Sequence, residues 1–312
     1  MRIGSQLGPQ FEAALRGARP DLDIVAVEAG APAELDRDIR ALVTLPFRQS
    51  GQAEPARPPQ WPFGLEWVQM ISVGTDLYPG WLFHGPVVTC ARGANSVALA
   101  EFALAAIFAH AKDLPEIWIR DAAQWAMRLV GMVRGATLGM VGFGAIGEAL
   151  APRALALGMK VLATRRTDTP FGVDGVERAE SIEDLFARSD HVVLAAPATP
   201  ETRGMISAAV LKAAKPGLHL INIARGILVD DAALLAALDS GQLSLASLDV
   251  THPEPLPAGH PFYTHPKVRL SPHLAVITKD NLPAFLAKFL HNLDRFERGE
   301  PLVDVVDPSR GY

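Results

Sequence analysis

Cysteine is almost missing from this chain: Cys90 is the only one in 312 residues. A lone thiol can form neither an internal disulfide nor a Cys-x-x-Cys metal site. No metal is therefore expected, and Cys90 reads as a buried thiol near a strand end. A basic excess is also missing. The 29 Lys and Arg stand against 34 Asp and Glu, a net charge of −5, which argues against a nucleic-acid partner. No apolar run reaches the roughly 18 residues that a membrane-spanning helix needs. The opening MRIGSQLGPQ carries no apolar leader region and reads directly as a strand, so a cytoplasmic protein is expected. Internal repeats and low-complexity segments do not stand out.

What the chain does have is an ordinary globular composition, 49% hydrophobic and 20% charged, and enough length for two cores. Its first hundred residues alternate short apolar runs with a helical stretch. RIGSQL, DIVAV, ALVTL, WVQMIS and PVVTCA read as strands, and FEAALRGA as a helix. Residues 51–64, GQAEPARPPQWPFG, read as a loop at the rim. NSVALAEFALAAIFAHAKDL reads as a long helix, with Asn95 or Ser96 able to cap it and Glu101 in its early turns. A second series follows: TLGMVGF, AIGEALAPRALALG, KVLAT, HVVLAAP, LHLINIA, LSLASLDV and VRLSPH. Pro152 falls within the helical AIGEALAPRALALG, where a kink is expected. KDNLPAFLAKFLHNLDRFERG reads as a last long helix. Strands alternating with helices imply parallel β-α-β construction, in two α/β units joined by two long helices.

The second series opens on GFGAIG: Gly142, Phe143, Gly144, Ala145, Ile146 and Gly147. Three glycines between an apolar strand and a helix allow a tight turn, close approach to a pyrophosphate, and close helix–strand packing. The helix N-terminus then offers its free N–H groups to the diphosphate. Eighteen residues beyond Gly147, where an acid would accept hydrogen bonds from the ribose hydroxyls, the chain reads Thr164-Arg165-Arg166. A carboxylate repels the 2′-phosphate of NADP and an arginine pairs with it, so NADP(H) is the expected cofactor. Asp168, slightly further on, keeps NAD(H) open.

Three later strands end in polar residues. LINIARG ends in Arg225, SLASLDVTHPEPLP passes Asp249 and reaches Glu254, and VRLSPHL ends in His273. Carboxyl ends of strands line the ligand crevice of an open parallel sheet. The set suits reduction of a 2-oxo acid. Arg225 clamps the carboxylate, protonated His273 donates to the ketone oxygen, and Glu254 orients the ring and favours its acid form. His252, His260 and His265, in the proline-rich loop, read as surface residues.

SVGTD (72–76), GFGAIG, PATPETRGMIS, INIARGILVDDAAL, LDVTHPEPLP, SPHL and the tail VVDPSRGY occur in this order along the chain. In these motifs the chain resembles the D-isomer-specific 2-hydroxyacid dehydrogenases over nearly its whole length. The resemblance implies Arg225, Glu254 and His273 as the catalytic set. It implies that the N–H groups of Val73 and Gly74 meet the substrate carboxylate, and that Asp249 faces the nicotinamide carboxamide. Ile223 near the nicotinamide, with Pro197 and Thr202 near the adenosine end, follow from the same resemblance. So does a Rossmann cofactor domain, residues 98–280, inserted in a flavodoxin-like substrate domain of residues 1–97 plus 281–312. Members usually pair through their cofactor domains, which directs attention to IWIRDAAQWAMRLVGMVRG, residues 117–135.

The missing acid is similar to that of the NADPH-preferring glyoxylate/hydroxypyruvate reductases. Ala275 and Val276, where many members have smaller residues, are expected to narrow or reshape the pocket near the nicotinamide. An NAD-linked phosphoglycerate-type dehydrogenase is the alternative within enzymes, disfavoured by the arginine pair and by the lack of a regulatory domain after Tyr312. Formate dehydrogenase fits less well, because it resembles this family with glutamine in place of Glu254. A corepressor-like protein that senses dinucleotide without catalysis is the alternative from another class, disfavoured by the lack of long disordered tails.

Overall fold

A computed structural model describes residues 1–308 and 310; Ser309, Gly311 and Tyr312, within the VVDPSRGY motif, lie outside the described residues. The chain divides into two compact units, residues 1–95 with 278–312, and residues 96–277.

The first unit is a five-stranded parallel sheet of β1 (Arg2–Ser5), β2 (Asp23–Ala26), β3 (Ile39–Thr44), β4 (Trp67–Met70) and β5 (Val87–Thr89). Its spatial order β2-β1-β3-β4-β5 is the flavodoxin-like one. Helix α1 (Pro9–Ala18) and the C-terminal helix α7 (Asn281–Glu297) cover one face. Phe289 stacks on Trp67 with ring centroids 5.0 Å apart, and Phe11 packs edge-on to Phe289 at 5.8 Å. Aromatic pairs of this kind contribute about 0.5–1.5 kcal/mol each beyond their buried area. The opposite face buries Leu42, Val68, Met70, Trp81 and Cys90. The 51–64 segment is more than a rim loop, because Trp61 is buried in this second core and its Nε1 donates to the His84 carbonyl at 2.9 Å.

The second unit carries seven parallel strands. They are β6 (Thr137–Val141), β7 (Lys160–Thr164), β8 (Val176–Arg178), β9 (His191–Leu194), β10 (Leu218–Asn222), β11 (Leu243–Leu248) and β12 (Val268–Leu270). The order β12-β11-β10-β9-β6-β7-β8 reverses between β6 and β9, the arrangement of a dinucleotide-binding sheet. One face is covered by α2 (Ser96–Ala111) and α3 (Ala145–Ala156), the other by α4 (Ile182–Arg188), α5 (Ala208–Ala213) and α6 (Asp231–Asp239). Helix α3 continues through Pro152. Burial on both faces explains why these strands read as continuous apolar runs rather than alternating ones. Among the described residues no helix is long and apolar enough to cross a membrane.

Candidate active site

The turn after β6 lies at the point where strand order reverses. Gly142 has φ +92°, and a Cβ there would come within 2.8 Å of the Ala196 backbone nitrogen, beyond the end of β9. Only glycine serves such a position. Gly147 is packed against the Phe143 ring, where a Cβ would approach to 2.9 Å. Gly144 differs, because a Cβ there would meet nothing within 4 Å. It occupies the N-cap of α3 and supplies no side-chain cap. The first N–H groups of a helix lack intrahelical partners, so this terminus offers its donors to open space that an anion can fill. Ala145 and Ile146 form the first turn and are half-buried.

Beyond β7, Arg165 is half-buried and its Nη1 donates to the Pro170 carbonyl at 3.3 Å, while Arg166 is exposed. The following loop is held by Arg178, which donates to the Thr169 carbonyl at 2.8 Å and lies 4.7 Å from the centre of the Phe171 ring. The loop after β9 is closed by Thr202, whose hydroxyl donates to the Pro197 carbonyl at 2.7 Å and accepts from the Thr199 N–H at 2.8 Å. The Glu201 carboxyl in this loop is held below its ordinary range, chiefly by a hydrogen bond from Thr199 and more weakly by the charge of Arg166. The charge of Arg166 thus reaches the Pro197–Thr202 loop.

Three further loops bring Arg225, Glu254 and His273 together within the second unit. Asn222, the last residue of β10, accepts from the Ala224 N–H at 3.1 Å and donates to the Arg225 carbonyl at 2.9 Å, fixing the turn that carries Arg225. The Arg225 Nη1 donates to the Ala224 carbonyl at 2.8 Å. Gly226 lets this turn lie against the next loop, since a Cβ would fall 2.0 Å from the Thr251 carbonyl carbon. Glu254 accepts from the Thr251 N–H through Oε1 at 3.0 Å, and its Oε2 lies 2.9 Å from His273 Nδ1. Burial pushes the Glu254 carboxyl up, yet the His273 and Thr251 hydrogen bonds and the charges of His273 and Arg225 hold it below its ordinary range. The carboxylate accepts from Nδ1–H, which leaves Nε2 as the ring atom that can exchange a proton with a bound molecule.

His273 has φ +54°, a left-handed conformation that costs an ordinary residue about 1–2 kcal/mol. Its N–H donates to the Asp249 carbonyl at 2.8 Å. Asp249, only 2% exposed, accepts from the Ser271 hydroxyl at 2.6 Å and from the Leu274 and Ala275 N–H groups at 2.8 and 2.9 Å. Both of its oxygens therefore hold the loop that presents His273. Ala275 is buried and Val276 half-buried, both packed with Ile223 and Phe143 in the core.

Other expectations resolve differently. Of the three loop histidines read as surface residues, only His252 is exposed. His265 is largely buried beside Asp239 at 3.2 Å, and the His260 Nδ1 caps a turn by accepting from the Phe262 N–H. Val73 and Gly74 follow β4 in the first unit, where the Ser72 hydroxyl donates to the Gly74 carbonyl at 3.0 Å. Asn222, Gly226 and Arg178 were not singled out from the sequence, although Asn222 gave a signal as a polar residue closing an apolar strand. Within residues 117–135, Trp118, Trp125, Met127, Leu129 and Met132 are strongly exposed.

Comparison with known proteins agrees with this geometry. The profile of the D-isomer specific 2-hydroxyacid dehydrogenase NAD binding domain matches residues 104–275. The chain is 34% identical to glyoxylate/hydroxypyruvate reductase A of Serratia proteamaculans over 75% of either sequence. It is 37% identical to glyoxylate reductase of Thermococcus gammatolerans over 70% of this chain and 68% of that one. The crystal structure of a D-isomer specific 2-hydroxyacid dehydrogenase from Xanthobacter autotrophicus Py2, in complex with NADPH and MES, superposes with a TM-score of 0.82 at 31% identity. That match covers 100% of this chain and 99% of that one. With the profile spanning more than half the chain, the protein belongs to the D-isomer-specific 2-hydroxyacid dehydrogenase family, as a nicotinamide-dinucleotide-dependent oxidoreductase acting on a CH–OH group.

Proposed function

We propose that this enzyme reduces a small 2-oxo acid of the glyoxylate or hydroxypyruvate kind to the D-2-hydroxy acid, with NADPH preferred over NADH. The observation that carries the reading is the 2.9 Å pair of His273 and Glu254 in a left-handed turn, with the charge of Arg225 acting on the same carboxylate.

Bound reduced nicotinamide supplies the hydride. His273 Nε2 donates the proton to the ketone oxygen as negative charge develops there. Glu254, accepting from Nδ1–H, orients the ring so that Nε2 faces the substrate. Arg225 pairs with the substrate carboxylate and polarises the neighbouring carbonyl. Asp249 acts as a positioning residue for His273. The diphosphate binds across Gly142–Gly147 at the open N-terminus of α3. Arg165 and Arg166 pair with the 2′-phosphate, and the Pro197–Thr202 loop covers the adenosine end. The NADPH-bound Xanthobacter structure supports this cofactor assignment.

Two copies pair through residues 117–135, whose exposed Trp, Met and Leu side chains form the kind of apolar surface that an interface covers. We place the enzyme in the cytoplasm, where reduced dinucleotide is available.

The test is loss of reduced-cofactor absorbance with glyoxylate and with hydroxypyruvate, NADPH and NADH being given in parallel. Turnover favouring NADPH with either acid is the expected result. A clear NADH preference would assign Arg165 and Arg166 to the solvated surface. Tight dinucleotide binding without turnover of any 2-oxo acid would overturn the catalytic reading.

A further inference from the structure

At the opposite edge of the second unit's sheet, near the strand beginnings, three histidines meet that the reductase chemistry does not use. His191 opens β9 and His219 is the second residue of β10, and the two are direct register partners in adjacent parallel strands. Their side chains leave the same face of the sheet, and the two Nδ1 atoms stand 3.2 Å apart. His110, in the last turn of α2, completes the group. Its ring centre lies 4.6 Å from that of His219 and 5.4 Å from that of His191. One ring nitrogen from each residue falls within 4.8 Å of the others.

The surrounding hydroxyls decide which nitrogens carry protons. The Ser244 hydroxyl donates to the Gly217 carbonyl at 2.7 Å, so it accepts from His110 Nε2 at 2.9 Å. Nε2 therefore bears the His110 proton, and Nδ1 is a bare lone pair. Among the described residues nothing bonds to that buried Nδ1. Burying an acceptor with no partner is costly, and each such group in a folded protein calls for an explanation. His219 repeats the pattern, with Nε2 2.9 Å from the Ser247 hydroxyl and Nδ1 facing its neighbours.

We propose that His110, His191 and His219 form a three-histidine site for a divalent transition-metal cation, of which zinc is the representative. Three features carry the assignment. About one tetrahedral ion at Zn–N distances of 2.0–2.1 Å, ligand nitrogens stand roughly 3.3 Å apart, close to the 3.2 Å between His191 and His219. Serine hydroxyls hold the outer nitrogens of His110 and His219, as outer-shell groups orient metal-bound imidazoles. His110, Ser244 and Ser247 also line a cleft of about 730 Å³, which gives an ion a route in and leaves room for a water as fourth ligand.

Binding needs no net proton release, because the proton shared by His191 and His219 can move to an outer nitrogen of the pair as the ion takes its place. Burial keeps the three rings neutral, pulling His191 down to about 4 and lowering His110 and His219 as well. The carboxylates nearest in sequence are engaged elsewhere, Asp190 with Lys215 and Asp113 with Arg128, so the site is built of neutral imidazoles alone. An all-imidazole donor set suits zinc, nickel or copper and excludes magnesium and calcium as occupants. A bound ion would tie the last turn of α2 to the beginnings of β9 and β10.

The experiment strips the full-length protein with a chelator, then titrates it with zinc chloride in equilibrium dialysis and with cobalt(II) in visible absorption. One ion per chain and the d–d bands of tetrahedral cobalt are expected. Zinc should also raise the thermal midpoint of the wild type. His110→Gln, which alters the half-buried member of the trio, should lose ion, bands and thermal shift, while His252→Gln keeps all three. Histidine-ring NMR of the wild type is a readout that needs no variant: the three cluster rings should shift on adding zinc and the other six should stay. Binding well below one ion per chain, retention of the bands in His110→Gln, or zinc-induced shifts confined to other histidines would each overturn the site.

Discussion

Replacing Asp249 by asparagine changes one atom's chemistry and almost no volume, and it tests how His273 is presented. The carboxylate accepts three hydrogen bonds, from the Ser271 hydroxyl and from the Leu274 and Ala275 N–H groups. Hydrogen bonds to a charged partner contribute about 1.5–3 kcal/mol each. Against them stands the left-handed backbone of His273, which costs about 1–2 kcal/mol. Asparagine keeps one oxygen, which can still serve Ser271 and Leu274. It turns an NH2 group towards the Ala275 N–H, leaving that buried donor without an acceptor. The loss, roughly 2–4 kcal/mol with the charge assistance gone, exceeds the strain it had offset, so the His273 turn relaxes. A misplacement of about 1 Å at a reacting group lowers rate on the order of 100-fold. We therefore expect kcat to fall by about 100- to 1,000-fold in steady-state reduction, with the Kd for cofactor changed by less than about threefold in a fluorescence titration. A direct role at the nicotinamide carboxamide predicts the reverse. Weaker cofactor binding with kcat nearly intact would refute the positioning argument.

Gly226→Ala forces a Cβ to within 2.0 Å of the Thr251 backbone; urea unfolding should show a loss at the top of the ~1–3 kcal/mol range for overpacking, with activity falling in parallel. The Glu254 carboxyl is held below its ordinary range by His273 despite burial, so the stabilisation from this pair is present above the unfolded carboxyl's titration and is lost as pH falls through the depressed value. In Glu254→Gln the His273 ring loses the carboxylate that accepts from its Nδ1–H, and kcat for reduction should fall on the order of 100-fold in a steady-state assay, as for a reacting group misplaced by about 1 Å; an unchanged kcat would remove Glu254 from that role. Replacing Arg165 and Arg166 by serine should raise the KM for NADPH about 10- to 100-fold, the loss of one or two charge-assisted contacts, while leaving that for NADH within about twofold. Glutamate at both Met127 and Leu129 should yield a monomer in sedimentation velocity; a persistent dimer would move the interface elsewhere.

The elements legible in the sequence are those whose physics is local. GFGAIG is readable because a turn at φ +92° and an open helix start both demand glycine. KVLAT matches β7 residue for residue because an apolar run between Gly-Met and a polar pair has clear ends. Strand ends were overextended elsewhere. LHLINIA stops at Asn222, where the side chain takes over from the ladder and shapes the Arg225 turn. The short elements β8, α4, α5 and α6 were not separated from their surroundings. The three-residue β8 is defined by pairing with β7, and the six-residue α5 by packing on its neighbours, neither of which leaves a periodic trace. The histidine trio was illegible for a different reason. His110, His191 and His219 are far apart in sequence, and only strand register makes two of them neighbours. Composition had pointed away from any metal, because thiolate spacing was the signal available to it.

The division of the chain also sets an order of events during synthesis. The first unit's sheet is complete by residue 89, but the helix that covers Trp67 and Phe11 is not made until after residue 280, and Thr89 pairs with Val305 later still. Between them the ribosome must produce the whole 182-residue second unit, a task of roughly 10–35 s at bacterial to eukaryotic elongation rates. The contiguous second unit can fold as it emerges. The N-terminal sheet meanwhile waits with one aromatic face open to water, which makes the nascent chain a natural client for chaperones that shield apolar surface.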